Sequence, residues 1–251
     1  MRITRFRKNK YIITTAVILF WLIVWQYCSN AIASRILFAS PLQVCDALWQ
    51  LIRSKAFWSA ILFSTQRIAA GFFLAMLCGI LLAVISAASG LFRHLLTPLI
   101  RLMKAVPVVS FVILALLWIS SRNLSILISF VMVLPVIYTN VLQGIDGADP
   151  KLLEMASVFR MPFFRKVRYI YIPSVLPALV SAASVSLGFC WKSGIAAEVI
   201  GLPTGSIGEK LYEAKLYLMT GELFAWTAVI VLVSVVFEKL VMLLIRKLAG
   251  Q

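Results

Sequence analysis

The sequence predicts an all-α membrane protein of six transmembrane helices with both termini in the cytoplasm. Apolar residues make up 62% of the 251-residue chain and charged residues only 13%. Six stretches are also apolar enough over a length that suits a bilayer, which needs about 20 residues per helix. A soluble domain carries about a quarter charged residues; at a mean hydropathy of +1.00 this chain could not hide its apolar surface from water. Intrinsic disorder is excluded on the same ground, since it requires low hydrophobicity.

The expected organisation is a basic N-terminus, residues 1–10, followed by a single membrane domain, residues 11–251. The first span runs from Tyr11 to about Cys28, behind Arg2, Arg5, Arg7, Lys8 and Lys10. This beginning also resembles a signal peptide, and Ala31-Ile32-Ala33 supplies an A-x-A triplet. The apolar run is longer than a usual signal core and five more spans follow, so the first helix is expected to be retained. Pro41 to Lys55 comes next, with Val44, Leu48, Leu51 and Ile52 at helical spacing, and reads as a helix lying in the interface. The remaining spans are expected over about Trp58–Ala88, Val106–Ser120, Leu124–Leu142, Pro173–Trp191 and Leu223–Ile245.

Orientation follows from Lys and Arg. With the N-terminus inside, that side also receives Arg93, Arg101, Lys104, Lys151, Arg160, Arg165, Lys166, Arg168, Arg246 and Lys247. The other side receives Arg35, Arg53, Lys55, Arg122, Lys192, Lys210 and Lys215. The split is 15 against seven, so most of the formal charge of +15 is a topology signal. No aromatic-interleaved basic motif points to nucleic acid. Cys28, Cys45, Cys78 and Cys190 form no CxxC pair, and His94 is the only histidine, so neither a metal site nor any other cofactor is expected.

One inner connection stands out, the roughly 30 residues from Gly144 to Ile172. Asp149 is a good N-cap and Pro150 suits the first helical position, so a short helix is expected from Pro150 to about Phe159. Pro162 disfavours helix at Met161 and marks a turn; the basic segment Phe163–Ile172 then leads to Pro173. Leu152, Leu153, Ala156 and Phe159 are expected to form one apolar face outside the bilayer. On the residues alone this is equally a helix on lipid headgroups and a knob for a partner protein.

Glu154-Met155-Ala156, followed by Ile170-Tyr171-Ile172-Pro173, resembles the EAA loop of ABC importer permeases, E-A-A-x3-G-x9-I-x-L-P, with matching spacing. Asn140, Gly144, Asp146, Leu153, Pro107 and Pro135 fall where the nitrate/sulfonate/taurine branch places them. So do Gly194-Ile195-Ala196-Ala197-Glu198, Gly201, Gly205 and Gly208, and upstream Ser64, Arg67 and Gly71. The resemblance covers about residues 38–246. It departs at Met155 for the usual Ala, at Arg160 for the motif glycine, at Ile172 for Leu, and at Ser120-Ser121 for Phe-Gly.

The resemblance implies the type I importer permease fold in the bacterial cytoplasmic membrane. It also implies a pair of permeases (here expected to be identical), cytoplasmic ATPase subunits docked on the coupling loops, and an extracytoplasmic binding protein that delivers a small solute. A sulfonate, nitrate or similar oxyanion is the default for that branch. Coupling then falls to Glu154, Met155, Ala156, Phe159, Arg160 and Pro173. Glu154 would contact a basic residue of the ATPase, and its bland alternative is a surface ion pair with Lys151 or Arg165. Pro173 is more simply the start of the fifth helix.

A pathway or gate role is open to Arg67, Ser181, Ser184, Glu198, Gly201, Gly205 and Gly208. Arg67 serves equally as a charge snorkelling at the outer boundary, and the small residues Ala178, Ser181, Ala182 and Ser184 serve more simply in helix packing. No G-x-x-x-x-G-K-[ST] phosphate loop is present, and Gly188 with Trp191-Lys192-Ser193 is a fragment of one. The rival reading is a secondary transporter with ion-coupling carboxylates in its spans. The nine acidic residues, placed mostly in loops or near span ends, weigh against it.

Overall fold

The computed structural model describes the backbone of residues 2–32 and 38–248 and the side chains of 13–31 and 38–247. Ala33 of the A-x-A triplet, Arg35, Gln251 and the side chains of the basic N-terminus lie outside the described residues. Those described form eleven α-helices and one π-turn, with no strand among them. In chain order the helices are α1 (Arg2–Ile32), α2 (Pro41–Ile52), α3 (Lys55–Ala88), α4 (Gly90–Ala105), α5 (Val108–Ala115), α6 (Ser121–Asp146), α7 (Pro150–Val158), α8 (Phe163–Lys166), α9 (Ile172–Gly201), α10 (Ile207–Leu216) and α11 (Thr220–Leu248). The π-turn Val167–Tyr171 joins α8 to α9.

Among the described residues five helical runs are long and apolar enough to cross a bilayer, and a sixth is reached when the bent pair α4–α5 is counted as one span. That pair corrects the expected third span. Instead of one straight helix over 106–120, α4 and α5 meet at 104°. Pro107 is the cause: a residue before proline is pushed out of the helical region, and Val106 sits at φ −71°, ψ 128°. The eight residues of α5 are too short to cross alone, so α5 counts toward a span only together with α4 across this bend. The fifth span differs as well. A continuous helical run of 39 residues, interrupted in register by the π-turn, extends from Phe163 to Gly201, so the span reaches back ten residues before Pro173, which stands in the first turn of α9. Pro173 lacks an N–H and crowds the carbonyl four residues back, and the wider π-turn directly before it accommodates both.

The chain divides into two compact units. One comprises residues up to 58 with 210–229. There α2 opens on a complete capping box: Ser40 Oγ accepts from the Gln43 amide at 3.3 Å, and Gln43 Oε1 accepts from the Ser40 amide at 2.9 Å. Trp25 Nε1 donates to the Ala39 carbonyl at 3.1 Å, and the Trp25 and Phe57 rings pack on Phe224 and Trp226.

The other unit comprises residues 59–209 with 230 onward. Its centre is α6: 61% of its most apolar window is buried, against 33% for α3 and 28% for the run ending in α9. Ile128, Val133 and Ile137 of α6 and Ala183, Leu187 and Ala197 of α9 are all fully or almost fully buried. Their backbones come close because Gly144 faces Val175; an added Cβ there would lie 2.8 Å from the Val175 Cα. Ser174 Oγ donates to the Gly144 carbonyl at 2.8 Å, and Ser129 Oγ to the Cys190 carbonyl at 3.3 Å. Phe72, Trp191 and Phe237 stack edge-on within this unit.

Candidate functional site

Two places in the second unit gather the residues of interest. The first is the connection from α6 to α9. As the sequence predicts, Asp149 caps α7, its carboxylate accepting from the Lys151 amide at 2.9 Å with Pro150 following. The helix closes one residue early, at Val158, because residue 160 turns left-handed at φ 49°. The Arg160 amide donates to the Ser157 carbonyl at 3.0 Å and the Met161 amide to the Ala156 carbonyl at 2.8 Å. These two bonds make a Schellman cap. Arg160 therefore occupies the conformation that the motif's usual glycine takes without strain.

The expected apolar face is corrected. Leu153 and Ala156 turn inward, where Ala156 is fully buried against Ala148 and Ile170, with Met161 and Tyr171 packed around them. Ala156 thus lets α7 lie close on its own chain, and its methyl is not offered to any partner. The outward stripe is Leu152, Met155 and Phe159, at i, i+3 and i+7, with Phe159 and Val158 about three-quarters exposed. Glu154 is exposed and, among the described residues, forms neither expected ion pair. Phe163 and Phe164 extend the exposed apolar surface next to Arg165 and Lys166.

The second place lies at the far end of α9. Glu198 is fully buried, so it does not line an open surface of this chain. Its Oε2 accepts from Ser64 Oγ of α3 at 2.6 Å and from the Gly208 amide of α10 at 3.3 Å. Ser64 Oγ in turn accepts from the Ile207 amide at 3.0 Å. Ser206 Oγ caps the Glu209 amide at 2.9 Å, and Glu209 Oε2 accepts from the Gly205 amide at 2.6 Å. Residues 202–206 form the turn between α9 and α10, with Leu202 at φ 47° and Gly205 at φ 81°. Gly201 packs on Leu124, and a Cβ at Gly208 would collide with the Glu198 Cβ and backbone. Arg67 lies apart from this network: its Nη1 donates to Asn123 Oδ1 at 3.0 Å in the first turn of α6, and its guanidinium covers the Phe63 ring.

Ser181 is exposed, whereas Ser184 donates to Glu238 Oε1 of α11 at 3.2 Å. Sequence reasoning passed over Glu238, a half-buried carboxylate ten residues inside the end of α11. Its signal was the Glu238-Lys239 pair interrupting an otherwise apolar run, since intramembrane charges are rare and usually paired.

The geometry is that of a multi-pass helical membrane protein with a capped helix outside its spans. Residues 75–250 match the sequence profile of the binding-protein-dependent transport system inner membrane component, and the chain belongs to that family. It is 27% identical over 228 residues, 90% of this chain and 82% of the relative, to the putative aliphatic sulfonates transport permease protein SsuC of Bacillus subtilis (strain 168). To the taurine transport system permease protein TauC of Escherichia coli (strain K12) it is 24% identical, with 85% and 80% coverage. To the nitrate import permease protein NrtB of Leptolyngbya laminosa it is 27% identical, with 78% and 72% coverage. A solved bacterial ABC transporter importing the acidic polysaccharide alginate shares the fold at TM-score 0.62 and 18% identity, covering 100% of this chain and 99% of that one. An amino acid ABC transporter with histidines does so at 0.57 and 17%, covering 78% and 91%. The chain is a transmembrane permease component of an ABC importer in the cell membrane, and the family works with an ATPase and a binding protein.

Proposed function

We propose that this permease couples to its ATPase through α7, works as a pair of identical chains with both termini in the cytoplasm, and moves a small oxyanion. Sulfonates, taurine and nitrate appear in the names of its relatives and support that solute class. ATP is hydrolysed by the partner subunits. The gate is assigned to Gly201 at the end of α9, Gly205 in the turn that follows, and Arg67 of α3 beside the first turn of α6. The observation that carries the coupling reading is the outward face of α7. Leu152, Met155 and Phe159 form an apolar stripe beside Glu154, which makes no ion pair among the described residues, and caps at both ends fix its aim.

A partner groove that buries Phe159 contributes roughly 1.5–3 kcal/mol, and a basic group facing Glu154 adds a charge-assisted hydrogen bond. Glu154→Lys and Phe159→Ala should each reduce co-purification of the ATPase while leaving the permease inserted and folded. Full co-purification and full binding-protein-stimulated ATPase activity in both variants would refute this role.

A further inference from the structure

The sequence marks Glu198 as a gate or pathway candidate; its geometry points to a different task. The first turn of a helix leaves its N–H groups without partners inside the helix. In α10 those donors are met one by one: Ile207 by Ser64 Oγ, Gly208 by Glu198 Oε2 and Glu209 by Ser206 Oγ. Two of the three acceptors come from other helices, α3 and α9, and the carboxylate and hydroxyl are also bonded to each other. A carboxylate at a helix N-terminus gains from the partial positive charge there. Gly208 makes the arrangement possible, because any side chain would strike Glu198.

We propose that Glu198 is a positioning residue: with Ser64 it forms a latch that clamps the first turn of α10 and the 202–206 turn onto α3 and α9, so that this outer segment moves only together with those spans. The inference rests on the permease reading for its meaning in transport, but the latch itself is testable on the chain alone. Both bonds of the clamp are accepted by Glu198 Oε2, and the buried Ser125 hydroxyl of α6 lies beside the same carboxylate, so only one carboxylate oxygen is committed to the clamp. A glutamine whose carbonyl takes the place of Oε2 keeps both accepted bonds, whereas alanine loses them.

The test is hydrogen exchange of the purified full chain in lipid nanodiscs, reading the peptide that covers 205–210 against peptides of α6. Glu198→Ala and Ser64→Ala should speed exchange at 205–210 at least tenfold with α6 unchanged, and Glu198→Gln less than threefold. Unchanged exchange at 205–210 in both alanine variants overturns the latch. If Glu198→Ala loosens α6 as well, Ser64→Ala decides: a rise confined to 205–210 supports the latch and no rise overturns it.

In the complex with its ATPase and binding protein, Leu202→Cys is then labelled with an impermeant maleimide, with Cys28, Cys45 and Cys78 replaced by serine. Labelling should change severalfold on trapping with ATP and vanadate. It should lose that response in Glu198→Ala while ATP hydrolysis continues. An intact response in Glu198→Ala overturns the gating role. No response even with native Glu198 overturns the importer reading of this segment and leaves the exchange result standing.

Discussion

The amide of Met161 donates to the carbonyl of Ala156 at 2.8 Å, across a left-handed Arg160. With the Arg160–Ser157 bond it closes α7 and turns the chain toward α8.

Arg160 is held there against its intrinsic preference, since a non-glycine residue in the left-handed region costs roughly 1–2 kcal/mol. Arg160→Gly removes that cost but adds freedom to the unfolded chain, so stability should stay level or rise by up to about 1 kcal/mol. Arg160→Val should lower it by more than the arginine does, because a branched Cβ tolerates this conformation worst. Thermal unfolding of the purified permease checks both. A loss of ATPase co-purification in Arg160→Gly alone would mark the guanidinium as a contact in its own right.

Gly208 and Gly188 make a matched pair. A Cβ at Gly208 meets backbone and Cβ of Glu198, which cannot swing aside, while a Cβ at Gly188 meets nothing within 4 Å. Gly208→Ala should therefore destabilise by about 1–3 kcal/mol, as overpacking does. Gly188→Ala, inside α9, should be neutral or stabilise by about 0.5–1 kcal/mol. Melting temperatures falling equally in both variants would contradict this.

Topology is checked with reporter fusions. Those after Asp146 and after Gln251 should report the cytoplasm, and one after Gly205 the outside. The 15-to-seven distribution of Lys and Arg gives that orientation. A cytoplasmic signal from the Gly205 fusion would invert the assignment of α10 and its latch.

Energy supply is checked by reconstituting the chain alone in liposomes. It should neither hydrolyse ATP nor concentrate taurine or nitrate, even under an imposed proton or sodium gradient. Uphill movement of either solute by the lone chain would favour ion coupling, with Glu238 the first carboxylate to replace.

Much of this was legible in the residues. Asp149 with Pro150, and Pro162, sit at helix ends where short-range bonding decides the outcome, and each behaves as its local chemistry predicts. The misses are of another kind. Whether Ala156 faces in or out depends on a rotation of α7 set by Ala148 and Ile170, which are eight and fourteen residues away. Pro107 explains why the helix breaks at Val106, but the 104° angle there goes with the packing of α5 on Leu124, Ile128 and Ala197, which no local signal carries. Glu198 appeared as a polar residue near a glycine-rich stretch, and its real partner, Ser64, lies 134 residues earlier.

The 34 residues of α3 give a rod of about 51 Å at roughly 1.5 Å per residue, against a hydrocarbon layer of about 30 Å. Tilting by about 40°, the upper end of what such helices adopt, takes up only about 39 Å of it. At least a dozen ångströms of α3 therefore stand clear of a hydrocarbon layer of about 30 Å even at that tilt. The 26-residue α6, about 39 Å long, fits the same layer entirely at the same tilt. A change in bilayer thickness of a few ångströms should therefore cover or uncover the ends of α3 before it strains α6.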